Sequence, residues 1–434
     1  MIVHRWKNLA TLMLTVLFLL YSCVYAEGFD RDVNLYPIRE NGKWGFMDKT
    51  GNIIIIPSYD AVSVCINGYI AVSNNEKWGI INCRGESIIP IKYGIEWTEN
   101  CSIFVVKDTN DSFALFYTET GSLSDFKFRN VVIEQGKTEY PVQSFDGLWG
   151  YVNAKGDEFI PCIFINAYLF NEGWAGVDIN NLENRWFTCD ALINQSGEIL
   201  FPPEGYSIIN WDGVSEGLIQ IQDNENGLIG YMNMQGEIVI QPTWNYAHAF
   251  HGTYAAVEDF STDKRYYIDI SGKTLDTRIT PPAEGDDIST AFSYGVTTVF
   301  VESSDGTELA IMDDTGSIQF INHNNDIAWI FHYFDRDRAW YVNNNGLYGL
   351  INKSGQLITN ADYECLNENG SPLIEGVMPV AQKGLWGYID VDGEWVITPR
   401  WEKAWPFCNG LALVEQNNRL MYIDHEENVI WSER

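Results

Sequence analysis

Basic residues are what this chain has least of for its length. Its 434 residues carry 27 Lys and Arg against 59 Asp and Glu, a net charge of −32. Nucleic-acid binding needs a basic surface that displaces counterions, so that class of function is excluded. Docking on anionic lipid headgroups is disfavoured for the same reason. Cysteine is sparse and unpatterned. There are eight, no C-x-x-C occurs, and past Cys23 an odd number remains scattered between Cys65 and Cys408. A disulfide framework and a zinc site both lack support, and the thiols read as small apolar fillers of strands. Past the N-terminus no apolar run is long enough to span a bilayer as a helix. Sustained 3.6-residue periodicity is missing as well, which removes helices from the expected fold. G-x-S-x-G, P-loop and strand-following G-x-G-x-x-G patterns are absent. The sequence therefore nominates no catalytic residue, cofactor or metal ligand, and the expectation is a protein that is not an enzyme.

What is there begins with a targeting signal. His4, Arg5 and Lys7 precede an apolar core from Leu9 to Leu20, and Val24-Tyr25-Ala26 supplies a small-x-small exit. Cleavage after Ala26 implies export to the extracellular side or the cell surface. A competing reading takes Leu20-Tyr21-Ser22-Cys23 as a lipoprotein box, with Cys23 as the lipidated residue. The domain expectation is thus a signal over 1–26 and one repeat array over 27–434, with a candidate seam near 277–290.

The array is organised around Lys43-Trp44-Gly45-Phe46-Met47-Asp48-Lys49-Thr50-Gly51, followed by Asn52 to Ile56 and Pro57. Two alternating strands flank a turn. An Asp or Asn side chain can bond the backbone two residues on, and a following Gly takes the positive φ that closes the loop. Proline, which cannot donate to a ladder, is expected to end the second strand. Clear copies surround Trp78-Gly79, Trp149-Gly150 and Trp386-Gly387, and worn ones recur between them down to Tyr422-Ile423-Asp424. About eleven copies recur at a mean spacing of about 38 residues, within the range of repeat architectures. Between hairpins lies a link, then Gly and an apolar strand, as in Asn67-Gly68-Tyr69-Ile70-Ala71-Val72. Each unit reads as a three-stranded meander, and the fold class as all-β.

These units resemble the WG repeat family of bacterial exported proteins. The shared pattern is K-W-G-aromatic-hydrophobic-D/N-x-x-G, then a hydrophobic strand and Pro; Ile229 and Tyr348 stand where the other copies have Trp. The resemblance implies an exported or envelope-associated repeat scaffold and transfers no catalytic motif. Eleven units exceed the blades of one propeller. The expected arrangement is an open, solenoid-like superhelix, with two packed propellers as the alternative.

Trp44, Gly45, Trp78, Gly79, Trp149, Gly150, Trp386 and Gly387 share one place in the repeat, so they are structural positions: Trp fills the space between units and Gly allows close backbone approach. Among the non-repeated aromatics, Trp395, Trp401 and Trp405 form the densest group and are the binding candidates, since exposed Trp can stack on sugars or anchor a protein. Asp390-Val391-Asp392-Gly393 resembles a fragment of a calcium loop, but Asp390 already has a turn to open. The expected function is a non-enzymatic, exported scaffold that binds a protein or a cell-wall polysaccharide through a broad β surface. A carbohydrate-active enzyme with unrecognised acids and a ligandless spacer are the alternatives.

Overall fold

The computed structural model describes residues 35–434 apart from 97–102, 135, 180–187, 210–212, 263, 282–294, 305, 323–325, 332–336 and 365–372. The signal, its Ala26 exit and Cys23 lie outside the described residues. Every paired strand is antiparallel, and no helix occurs among the described residues. The chain divides into two compact units, one of residues 1–162 with 366–434 and one of 163–365. The candidate seam near 277–290 falls within the second of these.

The first repeat follows the expected meander. Tyr36–Glu40 pairs with Lys43–Met47, which pairs with Ile53–Tyr59. Asn41 and Gly42 make the first reversal with φ of 51° and 75°, the signature of a type I′ hairpin. At the second reversal Asp48 Oδ1 accepts the amides of Thr50 and Asn52, while Gly51 takes φ of 87°. Some repeats, however, have four strands rather than three. Asn130–Val131, Glu139–Gln143, Trp149–Asn153 and Glu158–Phe164 form one such sheet, and the last sheet of the chain is built alike. The additional strand is short and comes from the stretch that reads as a link. In the second repeat Ala61–Val62 pairs with Tyr69–Asn74. Asn67 and Gly68 lie between them with φ of 46° and 83°, so the link is one arm of a further type I′ hairpin.

Pro57 does not end its strand. Trp44 pairs with Tyr59 and Phe46 with Ile55, so the return strand carries two extra residues opposite Gly45 and runs on past the proline. A bulge is where a sheet tolerates a residue without an N–H donor. It also explains the glycine of the Trp-Gly pair. The bulged backbone folds over Gly45, and a methyl there would overlap the Ile55 carbonyl and lie 2.5 Å from the Pro57 nitrogen. Gly79, Gly150, Gly230 and Gly387 meet the same backbone obstruction from their own return strands. Gly and Pro are therefore two halves of one device.

In the first unit the repeats at the two ends of the chain pack on each other. Tyr36, Ile38, Trp44 and Phe46 share a core with Leu411, Leu413, Tyr422 and Trp431. The Tyr36 hydroxyl donates to the Asn409 carbonyl at 2.9 Å, and the Tyr422 hydroxyl donates to that of Pro37 at 3.1 Å. Gly51 sits against Ile430 of the last repeat, much as Gly85 of the second repeat sits against Ile55 of the first. The first and last repeats thus share one core.

The sheets of the second unit have three to five strands. Trp174–Asp178 pairs with Ala191–Asn194, while Thr188–Cys189 leaves that sheet to pair with Tyr206–Ile209 of the next. Its cores gather around Tyr231, Phe250 and Val257, around Ile219, Ile221 and Met232, and around Ile311, Ile330 and Tyr341.

Candidate functional site

The strand that carries Trp-Gly sits inside each sheet, and the residue two after Trp is the deepest. Phe46, Tyr151, Tyr231 and Tyr388 are fully buried there. Burying such a ring contributes about 1.5–3 kcal/mol. The tyrosines add a tether. The Tyr231 hydroxyl donates to the His248 carbonyl at 2.6 Å, and that of Tyr388 to the Trp405 carbonyl at 2.7 Å. Each therefore fixes the path of the chain into the following repeat.

The Trp positions themselves are less uniform than the packing expectation. Trp44 is buried in its core, with the Arg39 guanidinium 5.8 Å above its ring. Trp78 and Trp386 are partly buried against neighbouring cores, and Trp149 is partly exposed. Trp44 fills a core, whereas the others border one.

Trp401 and Trp405 are held by packing, and Trp395 is half-buried. Trp395–Trp401 is the return strand after Trp386-Gly387, and its residues alternate. Trp395, the buried Ile397 and Trp401 pair with Ile389, Tyr388 and Trp386, while Val396, Thr398 and Arg400 point to the exposed side. Ile238, Ile240 and Trp244 occupy the same three inward places in the second unit. The indole N–H groups of Trp244 and Trp401 are both buried with no acceptor, so these rings contribute area rather than a hydrogen-bonding handle. Trp405 packs against the core shared by the first and last repeats, whereas Trp401 packs against the core around Tyr388 and Phe407. Aromatic density in the sequence marked the packed side of the strand.

The feature that sequence reasoning missed is the other side of these return strands. In the first unit Ile54, Ile56, Ile88 and Val396 are exposed there, with Ile56 at 77%. The strand Ile53–Tyr59 is the outer edge of its sheet, and Trp395–Trp401 and Val429–Ser432 are the outer edges of theirs. The seating of Gly51 on Ile430 and of Gly85 on Ile55 brings the last, first and second repeats side by side. The readable signal was the unbroken Ile53-Ile54-Ile55-Ile56 run. Four apolar residues in succession cannot all face one core when side chains alternate.

Charge and titration shape the rest of the surface. Basic side chains are paired where they are held: Arg39 with Glu433, Lys43 with Asp60, Arg400 with Glu427 and Lys403 with Glu415. Burial pushes the thiols of Cys65 and Cys189 up to about 12, so both stay protonated and poorly nucleophilic at neutral pH. Asp390 Oδ1 accepts the amides of Asp392 and Glu394, the turn-opening role its place implied.

A family model described as a WG containing repeat matches residues 44–78, 149–182, 229–259 and 386–419. The chain carries WG-containing repeats. The third match begins at Ile229, so a WG repeat is recognisable without its tryptophan once Gly230 and the bulge around Pro242 are in place. No curated protein matches the chain. Among solved structures it is similar to a eukaryotic initiation factor, at 10% identity over 84% of this chain and 96% of that one, with a TM-score of 0.40. It is also similar to the computationally designed Ika8 protein, at 11% identity over 77% and 93% with a TM-score of 0.26. For BamB from Moraxella catarrhalis the figures are 12% identity, 83% and 95%, and 0.24.

Proposed function

We propose that this WG-repeat protein is an exported, non-enzymatic scaffold that binds a protein partner through the outward faces of its return strands. The observation that carries the reading is the recurrence of exposed Ile and Val at one outward place of the return strand, at Ile54, Ile88 and Val396 of the first unit, with exposed Ile56 two residues after Ile54. Aliphatic side chains on exposed sheet edges suit the apolar residues of an added strand. Polysaccharide recognition relies on aromatic faces, and the packing of Trp401 and Trp405 against cores favours protein over glycan. Export rests on the N-terminal signal in the sequence.

In the first unit, the mutual packing of the first and last repeats supports a propeller-type arrangement over an open superhelix with free ends. A scaffold fastened in this way holds its edge strands at fixed spacing, which lowers the entropy cost of binding.

The test uses the full mature chain immobilised and challenged with cell-envelope proteins and, separately, cell-wall polysaccharide, with released sugar measured in the same samples. The expected result is saturable protein binding that Ile54→Asp with Ile56→Asp abolishes, without sugar release. Saturable polysaccharide binding or released sugar overturns the reading, and so does protein binding that the double variant retains.

A further inference from the structure

Three of the link turns carry glutamate where the backbone suits it least. These turns are two-residue reversals, closed by the bridges of Ile66 with Tyr69, Asn171 with Trp174, Ser215 with Leu218, His251 with Tyr254 and Ile374 with Val377. The first residue of each reversal is left-handed, with φ of 46° at Asn67, 47° at Glu172, 53° at Glu216, 66° at Gly252 and 52° at Glu375. Glycine and asparagine enter that region readily, whereas an ordinary side chain sets its Cβ against a carbonyl oxygen. Glutamate held there carries strain that the surroundings must offset.

Each of the three glutamates reaches into the following repeat. Glu172 Oε1 accepts the Glu216 amide at 3.0 Å, and its Oε2 accepts the Gly217 amide at 3.2 Å. Glu216 Oε1 in turn accepts the Gly252 amide at 3.0 Å. In the first unit the two oxygens of Glu375 accept the Gly410 amide at 3.1 and 3.0 Å, and His425 Nε2 lies 3.0 Å from Oε2. The preceding residues follow the same course. Asn171 Nδ2 donates to the Val214 carbonyl at 2.9 Å, and Ser215 Oγ donates to that of Phe250. Bonds from backbone amides to a carboxylate are charge-assisted and stronger than neutral ones, which offsets the strained turn beneath. Asn67 shows the relaxed alternative: its side chain donates to the Thr118 hydroxyl at 2.9 Å.

We propose that these glutamates are straps that fasten one repeat to the next, and that in the second unit they act in series. Glu216 is the middle member: its amide receives the Glu172 carboxylate, and its own carboxylate goes to Gly252. Gly252 has no side chain with which to continue, so the series ends there. The stability of a repeat array rests largely on contacts between neighbours. Straps in series make the turns at Glu172, Glu216 and Gly252 open together, so the repeats they join loosen as one cooperative unit. Left-handed backbone under a long acidic side chain is the mark of the device. Glutamate stands in an asparagine place because its length and charge bring a carboxylate to the next turn.

The test compares the full mature chain with its Glu172→Asn and Glu216→Asn variants. Asn relaxes the left-handed backbone, yet it shortens the side chain and removes the charge, so strain and strap pull the result in opposite directions. The readouts are the unfolding temperature and hydrogen–deuterium exchange on peptides covering 214–218 and 250–254. Each variant should unfold a few degrees lower than wild type. Each should also exchange about tenfold faster in both peptides, the order for losing a hydrogen bond to a charged group. An unfolding temperature that stays level or rises, as the backbone preference alone dictates, overturns the straps. Faster exchange confined to the amides that lost their own carboxylate, at Glu216 and Gly217 in the first variant or at Gly252 in the second, overturns the coupling in series.

Discussion

Arg39 and Glu433 lie 394 positions apart and form a two-pronged ion pair, with Nε to Oε1 at 2.7 Å and Nη2 to Oε2 at 3.1 Å. Neither side chain is more than 17% exposed, and Glu433 also accepts the Leu420 amide. The pair joins the first strand of the first repeat to the end of the last. Glu433→Gln removes the charge while keeping the shape. It should lower stability by about 1.5–3 kcal/mol, the range for hydrogen bonds to charged groups. Urea unfolding followed by tryptophan fluorescence measures it. An unchanged midpoint would mean that apolar packing alone joins the two ends.

The bulge over the repeat glycine gives a sharper contrast. Gly45→Ala would press its methyl into the backbone of Ile55 and Pro57, and backbone in a paired strand cannot step aside. Gly94→Ala would meet Lys107 at no less than 3.4 Å, an ordinary contact. The first should cost about 3 kcal/mol, the upper end for overpacking, and the second less than about 1 kcal/mol. Similar losses at both sites, read from thermal unfolding, would remove the bulge as the reason for the Trp-Gly pair.

These residues also show what could be read from the chain. The Gly45 close approach was legible because one residue type recurs at one place in the repeat. Pro57 was legible as a residue without a donor but misread as a strand end, since nothing local distinguishes a bulge from a stop. Ala61–Val62 is too short to show alternation, so the fourth strand looked like a link. Trp395 and Trp401 advertised themselves by density, yet facing is decided by register against Tyr388, which density does not encode. The long-range facts were the hidden ones. Neither the Arg39–Glu433 pair nor the hydrogen bond from Tyr422 to the Pro37 carbonyl follows from any local pattern.

The tyrosine tethers predict a graded response. Tyr388→Phe and Tyr231→Phe each strip a hydroxyl donor from the carbonyls of Trp405 and His248 while keeping the ring in its core. Each should cost about 0.5–1.5 kcal/mol, the net worth of an ordinary hydrogen bond. The first repeat naturally has Phe46 at this place. There Ser63 Oγ donates to the Val64 carbonyl and accepts the Ala71 amide, both at 2.8 Å, and steadies the same part of the link. Ser63→Ala should therefore match the tyrosine variants in size. A silent Ser63→Ala would show that this link needs no polar tether.

Acid should loosen the turns before it loosens the cores. Side-chain hydrogen bonds from Asn52 and Thr50, with their backbone amides, hold the Asp48 carboxyl down at about 2. An unfolded Asp titrates near 4. Because the folded value is the lower one, the contribution of Asp48 is complete above pH ~4 and disappears as the pH falls through ~2. Asp259, held low mainly by Ser261, follows the same sign. Asp48 is wholly exposed, so the effect is small for one turn and accumulates only over several. Other turns open with Asn, among them Asn82, Asn153, Asn194, Asn233, Asn343 and Asn352, and each uses Oδ1 in the same way. Asp48→Asn should accordingly keep the fold at pH 7 and flatten the fall in stability between pH ~4 and ~2, measured as the unfolding temperature at each pH. An unaltered acid slope would assign that loss to other carboxylates.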